Sequence, residues 1–127
     1  MVGVNPKKII FVTTIKEIGA EAKEFQDIKM MILFGSKAPD ALRSSCYIIE
    51  LNTVNSTIKA GMFLQIKNYH YTITAVGSEV QTNLGNLGHI AISFDGLTKP
   101  KLPGTLYVEN APYPDVHVGD SIQIIAD

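Results

Sequence analysis

Apolar positions along the chain fall into short runs separated by turn formers, and most of the runs have the composition of β-strands. Ile9 to Ile18 is rich in β-branched and aromatic residues and predicts a strand, entered by an arm of eight residues ending in Asn5-Pro6-Lys7-Lys8. Asp27 to Phe34 (DIKMMILF) returns to strand composition until Gly35-Ser36 breaks it, and Cys46 to Leu51 predicts the next strand. Asn52 to Ser56 sustains neither period and is turn-prone. Phe63 to Ile66 and Tyr69 to Val76 read as two strands of a tight hairpin that turns at Lys67 and Asn68. In the second of them Tyr69, Tyr71 and Ile73 share one face, and His70, Thr72 and Thr74 the other. His89 to Phe94 is a strand stopped by Asp95-Gly96, and Thr105 to Val108 and Ser121 to Ile125 supply the last strands.

Helical signals are short. Gly19 to Gln26 offers about two turns, which need tertiary support to persist. Pro39 suits a first helical turn, so Pro39 to Ser44 predicts one turn of helix. Glu79 to Leu87 places Val80, Leu84 and Leu87 on one stripe, with Ser78 as the expected cap and Gly88 as the stop. One weak repeat is visible: Ile58 to Ile66 can be laid on Val116 to Ile124, each with a glycine leading into an apolar-Gln-Ile strand. Similar barrel corners suffice to explain it, and duplication is the less favoured reading. About seven short strands with short helices between them predict a mainly β fold, a small closed β-barrel with two or three short helices.

Composition narrows the function classes. With 127 residues the chain is expected to make one domain, 1–127, and 46% hydrophobic against 18% charged residues describes a folded chain. A net charge of −1 provides no positive field for a nucleic-acid backbone. No apolar run approaches the roughly 20 residues that cross a bilayer, and with no charged-then-apolar leader a cytoplasmic location is expected. The single cysteine, Cys46, fits a reducing compartment and reads as a small core residue rather than a reactive thiolate.

Candidate chemistry is sparse. Neither a phosphate loop, a dinucleotide fingerprint nor a G-x-S-x-G elbow is present. The three histidines, His70, His89 and His117, are widely separated and lack a nearby Cys or His partner, so no metal site is expected. His70 on a polar strand face and His117 in a turn read as solvated. His89 stands out because it follows a glycine at a helix end and opens a strand, where a side chain is accessible. A neutral imidazole presents a nitrogen lone pair that can accept a phosphoryl group while its other nitrogen is oriented by a hydrogen bond, from Asp95 or a backbone carbonyl. The plainer role for His89 is to cap helix carbonyls or close a local hydrogen bond.

Several stretches, in order over nearly the whole chain, resemble the glucitol/sorbitol-specific enzyme IIA component of the bacterial sugar phosphotransferase system. They are Thr13-Thr14-Ile15 with Ile18-Gly19-Ala20, Ala38-Pro39 with Leu42 and Cys46-Tyr47-Ile48, and Tyr71 with Thr74-Ala75-Val76-Gly77. They continue through Asn83-Leu84, Leu87-Gly88-His89, Phe94-Asp95-Gly96 and Pro103-Gly104-Thr105. The resemblance implies a cytoplasmic β-barrel that takes a phosphoryl group on histidine from the phosphocarrier HPr and passes it to membrane IIB and IIC permease components. It implies no metal, nucleotide or other cofactor.

One position departs from the family pattern. The acceptor histidine of the family directly follows the Cys-aromatic-Ile stretch, where this chain has Ile49, and a shift of one residue would bring Glu50. Isoleucine has no lone pair to offer. Two expectations follow: His89, which coincides with a histidine of the family pattern, is the catalytic acceptor, or the chain is a transfer-deficient binding or regulatory module. An unrelated barrel that binds a small ligand is a third reading.

Overall fold

The computed structural model describes residues 8–126, so the entry arm lies outside the described residues except for Lys8, which opens the first strand. Eight strands form: β1 (Lys8–Ile18), β2 (Met30–Gly35), β3 (Tyr47–Ile49), β4 (Phe63–Ile66), β5 (Tyr69–Val76), β6 (Ile90–Ser93), β7 (Thr105–Val108) and β8 (Ser121–Ala126). A 3₁₀ helix (Ala22–Ile28) and two α-helices, α1 (Asp40–Arg43) and α2 (Val80–Leu87), lie between them. The strands run in the order β1-β3-β2-β6-β7-β5-β4-β8, and β8 pairs back onto β1, so the sheet closes in a ring. The expected mainly β class with a few short helices holds, with eight strands in place of about seven. No helix among the described residues is long and apolar enough to cross a membrane.

Local sequence explains most of the boundaries, and tertiary contacts explain the departures. The strand expected from Asp27 begins only at Met30, because the 3₁₀ helix runs on to Ile28 and Lys29 ends it in the left-handed region at φ 57°. The strand expected over Cys46 to Leu51 is reduced to Tyr47–Ile49. Ser78 does not cap α2: the N-cap position is Glu79, and no side chain bonds the helix start. The Lys67-Asn68 hairpin forms as expected. Gly88 stops α2 at φ 67°, a conformation that costs glycine little.

The ring encloses one apolar core to which every strand contributes, including Phe11, Leu33, Tyr47, Ile49, Tyr71, Phe94 and Val108. Outside it Phe34, Ala38, Cys46 and Ile48 form a small second cluster, so β3 buries both faces. Cys46 is therefore a core residue, and burial pushes its thiol pKa up.

The weak sequence repeat turns out to be part of a quasi-two-fold that relates β1–β4 to β5–β8, which corrects the reading of a mere shared corner. β1 pairs antiparallel with β3 as β5 does with β7, and β2 pairs parallel with β3 as β6 does with β7. The axis passes through Ile32 opposite Ala91 and through Gln65 opposite Gln123. Backbone bonds repeat too: Gly19 N–H donates to the Cys46 carbonyl and Gly77 N–H to the Thr105 carbonyl, both at 2.9 Å. Gly61 and Gly119, in the two repeat segments, have φ of 95° and 97° and donate to the Ile73 and Ile15 carbonyls. Each half gives its last strand to the first strand of the other, so neither half closes a core alone.

Among the described residues, one buried side-chain polar atom has no partner: the Tyr71 hydroxyl. Tyr71→Phe is expected to raise stability by about 1 kcal/mol, because an unbonded buried hydroxyl costs more than the ring edge that replaces it. Burial pushes the Tyr71 pKa from 10.0 up to about 12. A phenol held neutral by folding contributes stability that is complete below its unfolded pKa and is lost as pH rises toward the folded value. The gain of the Phe variant over wild type, measured by urea unfolding, should therefore widen between about pH 10 and 12. A variant less stable than wild type at pH 7 would refute this.

Candidate functional site

His89 is placed by the end of α2. Gly88 turns the chain so that His89 immediately precedes β6 rather than lying inside it, and the side chain folds over the neighbouring strand β2. Its imidazole stacks on Phe34 with centroids 4.2 Å apart and planes inclined by 22°. Nδ1 lies 3.0 Å from the Leu33 carbonyl oxygen. A carbonyl can only accept, so in the neutral imidazole Nδ1 carries the proton and Nε2 carries the lone pair. Nε2 has no hydrogen-bond partner among the described residues and is not sealed from solvent, since the side chain is half-buried. The arrangement fixes one tautomer, braces one face of the imidazole and leaves the basic nitrogen open.

The orienting group is thus the backbone carbonyl and not Asp95. That carboxylate is occupied elsewhere, accepting from the Ser93 hydroxyl at 2.8 Å and from the Leu97 backbone N–H at 3.1 Å. The His89 side chain does not cap the helix carbonyls, because its bond crosses to β2, but the His89 backbone N–H does, donating to the Asn83 carbonyl at 3.2 Å.

Ile49 is 0% exposed and belongs to the interior of the ring, its Cδ1 close to Gly88. The next residue, Glu50, points outward and pairs with Lys16 at 3.5 Å between exposed side chains. An apolar cleft is lined by Phe34, Gly35, Leu51 and Leu87, together with Lys37. His70 is exposed on β5, and His117 lies in the turn before β8 with its ring nitrogen 3.9 Å from Asp120. The three histidines are not brought together, and no group of three potential metal ligands occurs among the described residues.

Two polar constellations escape sequence reading because their members are far apart in the chain. Arg43 donates to both Glu17 carboxylate oxygens, at 2.9 and 3.2 Å, and to the Ser36 carbonyl at 2.9 Å. The guanidinium holds the Glu17 carboxyl below the usual range. The hydroxyls of Tyr47 and Tyr113 lie 3.1 Å apart, and both residues line a cavity. Burial, then the Tyr47 hydroxyl, push the Tyr113 pKa upward.

Comparison with known proteins agrees with the resemblance read from the sequence. Residues 10–123 match the family model described as the PTS system glucitol/sorbitol-specific IIA component. The chain is 36% identical over 107 residues to the PTS system glucitol/sorbitol-specific EIIA components of Shigella flexneri and Escherichia coli K12. These alignments cover 84% of this chain and 86% of each of those proteins. The fold is similar to the crystal structure of a PTS system IIA component from Enterococcus faecalis V583. That likeness has a TM-score of 0.81 and 29% identity, over 91% of this chain and all of the other.

Proposed function

The chain belongs to the PTS glucitol/sorbitol-specific IIA component family, and from that premise we propose that it relays a phosphoryl group from phospho-HPr to a IIB component of a hexitol uptake system, with His89 as the catalytic acceptor. The observation that carries the reading is the Nδ1 bond to the Leu33 carbonyl, which leaves the Nε2 lone pair free at a solvent-accessible edge. Nε2 attacks the phosphorus of the donor phosphohistidine. An N–P bond forms as the donor's N–P bond breaks, and the electron pair of the broken bond returns to the donor imidazole. The charge that develops on the His89 imidazole is stabilised by the Nδ1–H bond to the carbonyl, and no metal or nucleotide takes part. Transfer to IIB reverses the same step. The chain acts in the cytoplasm in this reading.

A second reading is favoured by Ile49. The family's acceptor position is filled by a side chain that is part of the core, which suits a transfer-deficient module that keeps the docking surface of a IIA protein.

Incubation with enzyme I, HPr and phosphoenolpyruvate decides between them. The relay requires an acid-labile mass gain of one phosphoryl group that is lost in His89→Ala. That loss should be essentially complete, because the variant has no nucleophile at the site. A gain that survives in His89→Ala removes His89 as the acceptor. No gain in the wild type, with measurable binding to HPr or IIB, supports the transfer-deficient module.

A further inference from the structure

The quasi-two-fold carries the corner that holds His89 onto a second corner, at the opposite end of the β2–β6 pair. These strands are in register from Leu33 opposite Ile90, next to His89, to Met30 opposite Ser93. Lys29 corresponds to Gly88, and both are left-handed, at φ 57° and 67°. Met30 stands where His89 does, so the second corner has the same build without the imidazole. It holds a cavity of about 380 Å³ whose apolar lining comes from Ile28, Met30, Leu97 and Leu102. Ile28 is 62% and Leu102 53% exposed, so the cavity opens to solvent with two large apolar side chains at its surface. Apolar side chains gathered around one opening, rather than scattered singly, mark an interaction surface.

Bonds inside the chain hold this opening in shape. The hydroxyl of Tyr107, a residue only 2% exposed, accepts from the Lys101 and Leu102 backbone N–H groups at 3.1 and 2.9 Å, which fixes the loop that presents Leu102. Ile28 ends the 3₁₀ helix, and the carbonyl of the next residue, Lys29, accepts from the Phe94 N–H at 3.0 Å. Asp95 is fixed by its bonds from Ser93 and Leu97. A surface ordered before docking loses little further entropy when a partner arrives. Two opposite charges, Asp95 and Lys101, line the same opening, and among the described residues neither belongs to an ion pair.

We propose that this opening is the interface of a homodimer, with a second copy of the chain as its occupant. A two-fold axis brings the same face of each copy together, so Asp95 of one copy meets Lys101 of the other and the pair forms twice. Ile28 and Leu102 of both copies bury their exposed surface in the same step. A partner carrying one sign of charge would leave either Asp95 or Lys101 facing a like charge. The net charge of −1 puts little overall repulsion between two copies. Because the opening lies at the far end of the β2–β6 pair from Leu33, such a dimer keeps His89 outside the interface. The proposal does not rest on phosphoryl relay, and its test involves no transfer.

The test is sedimentation equilibrium of the full-length protein. The average mass is expected to rise with concentration from 13.9 kDa toward twice that value. Leu102→Asp and Lys101→Asp, both at exposed positions, should weaken association at least about tenfold without lowering the melting temperature. Mixing Lys101→Asp with Asp95→Lys should restore a dimer that neither variant forms alone, since each copy then offers the charge the other lacks. If Asp95→Lys does not fold for want of the acceptor of Ser93 and Leu97, the two preceding variants decide. A protein that stays at 13.9 kDa at every concentration overturns the proposal and leaves the opening to a partner of another kind. A dimer that both Leu102→Asp and Lys101→Asp leave unchanged uses another face and overturns it equally.

Discussion

Gly77→Ala is expected to cost about 3 kcal/mol or more, enough to remove much of the stability of a domain this size. A Cβ at Gly77 would sit 2.3 Å from the Pro103 carbonyl oxygen and 2.5 Å from that of Leu102. Both atoms are backbone, so relief requires moving the segment that leads into β7, and no side-chain rotation suffices. Its quasi-two-fold equivalent Gly19 faces the same obstacle, with a Cβ 2.2 Å from the Ser44 carbonyl oxygen. The two glycines donate the equivalent bonds to Cys46 and Thr105, so each marks the close approach where a long strand passes the entry to its half's third strand. Gly85 is the control: a Cβ there meets nothing within 4 Å, and it lies in the middle of α2. Gly85→Ala should raise stability by about 0.5–1 kcal/mol through backbone entropy. Urea unfolding of the three variants checks the contrast. A Gly77→Ala midpoint equal to that of wild type would show that the strand and loop are not held as tightly as the structure has them.

Phe94→Ala should cost about 3–5 kcal/mol. Phe94 is 0% exposed and meets Tyr71 and Tyr113 edge-on, at centroid distances of 5.0 and 5.7 Å. Removing the ring takes away transfer free energy and two aromatic contacts, and it leaves a hole between strands whose closed order restricts collapse. For a chain of this length the loss corresponds to a melting temperature lower by about 15 °C. Phe94→Leu, which keeps most of the volume, should lose only about 1 kcal/mol. Thermal unfolding followed by near-ultraviolet dichroism reads both, since Tyr71 and Tyr113 report the same cluster. An alanine variant that loses less than about 1 kcal/mol would mean that Phe94 does not fill the core.

The surroundings of the candidate residue His89 were legible in the sequence only in part. His89 stood out through its neighbours, a glycine stop before it and an apolar strand after it, and both act as expected on the chain. Its orientation was open between Asp95 and a carbonyl, because the Leu33 carbonyl belongs to a strand 56 residues away in the chain. Ile49 drew attention only through the family resemblance, and only the closed sheet shows it to be sealed in the core. The Tyr47–Tyr113 cavity gave no sequence signal, since Tyr113 lies in an irregular loop and its partner in a three-residue strand.

By itself the sequence determined the local elements: β-branched runs make strands, Gly88 stops α2, and Lys67-Asn68 turns the hairpin. These outcomes depend on dihedral preferences and side-chain spacing that act within a few residues. The tertiary structure alone decided that the 3₁₀ helix delays β2 and that a nine-residue likeness extends to a quasi-two-fold of the whole ring. Each depends on groups brought together by strand pairing across the chain, where hydrogen bonds and buried area join residues that no local pattern links.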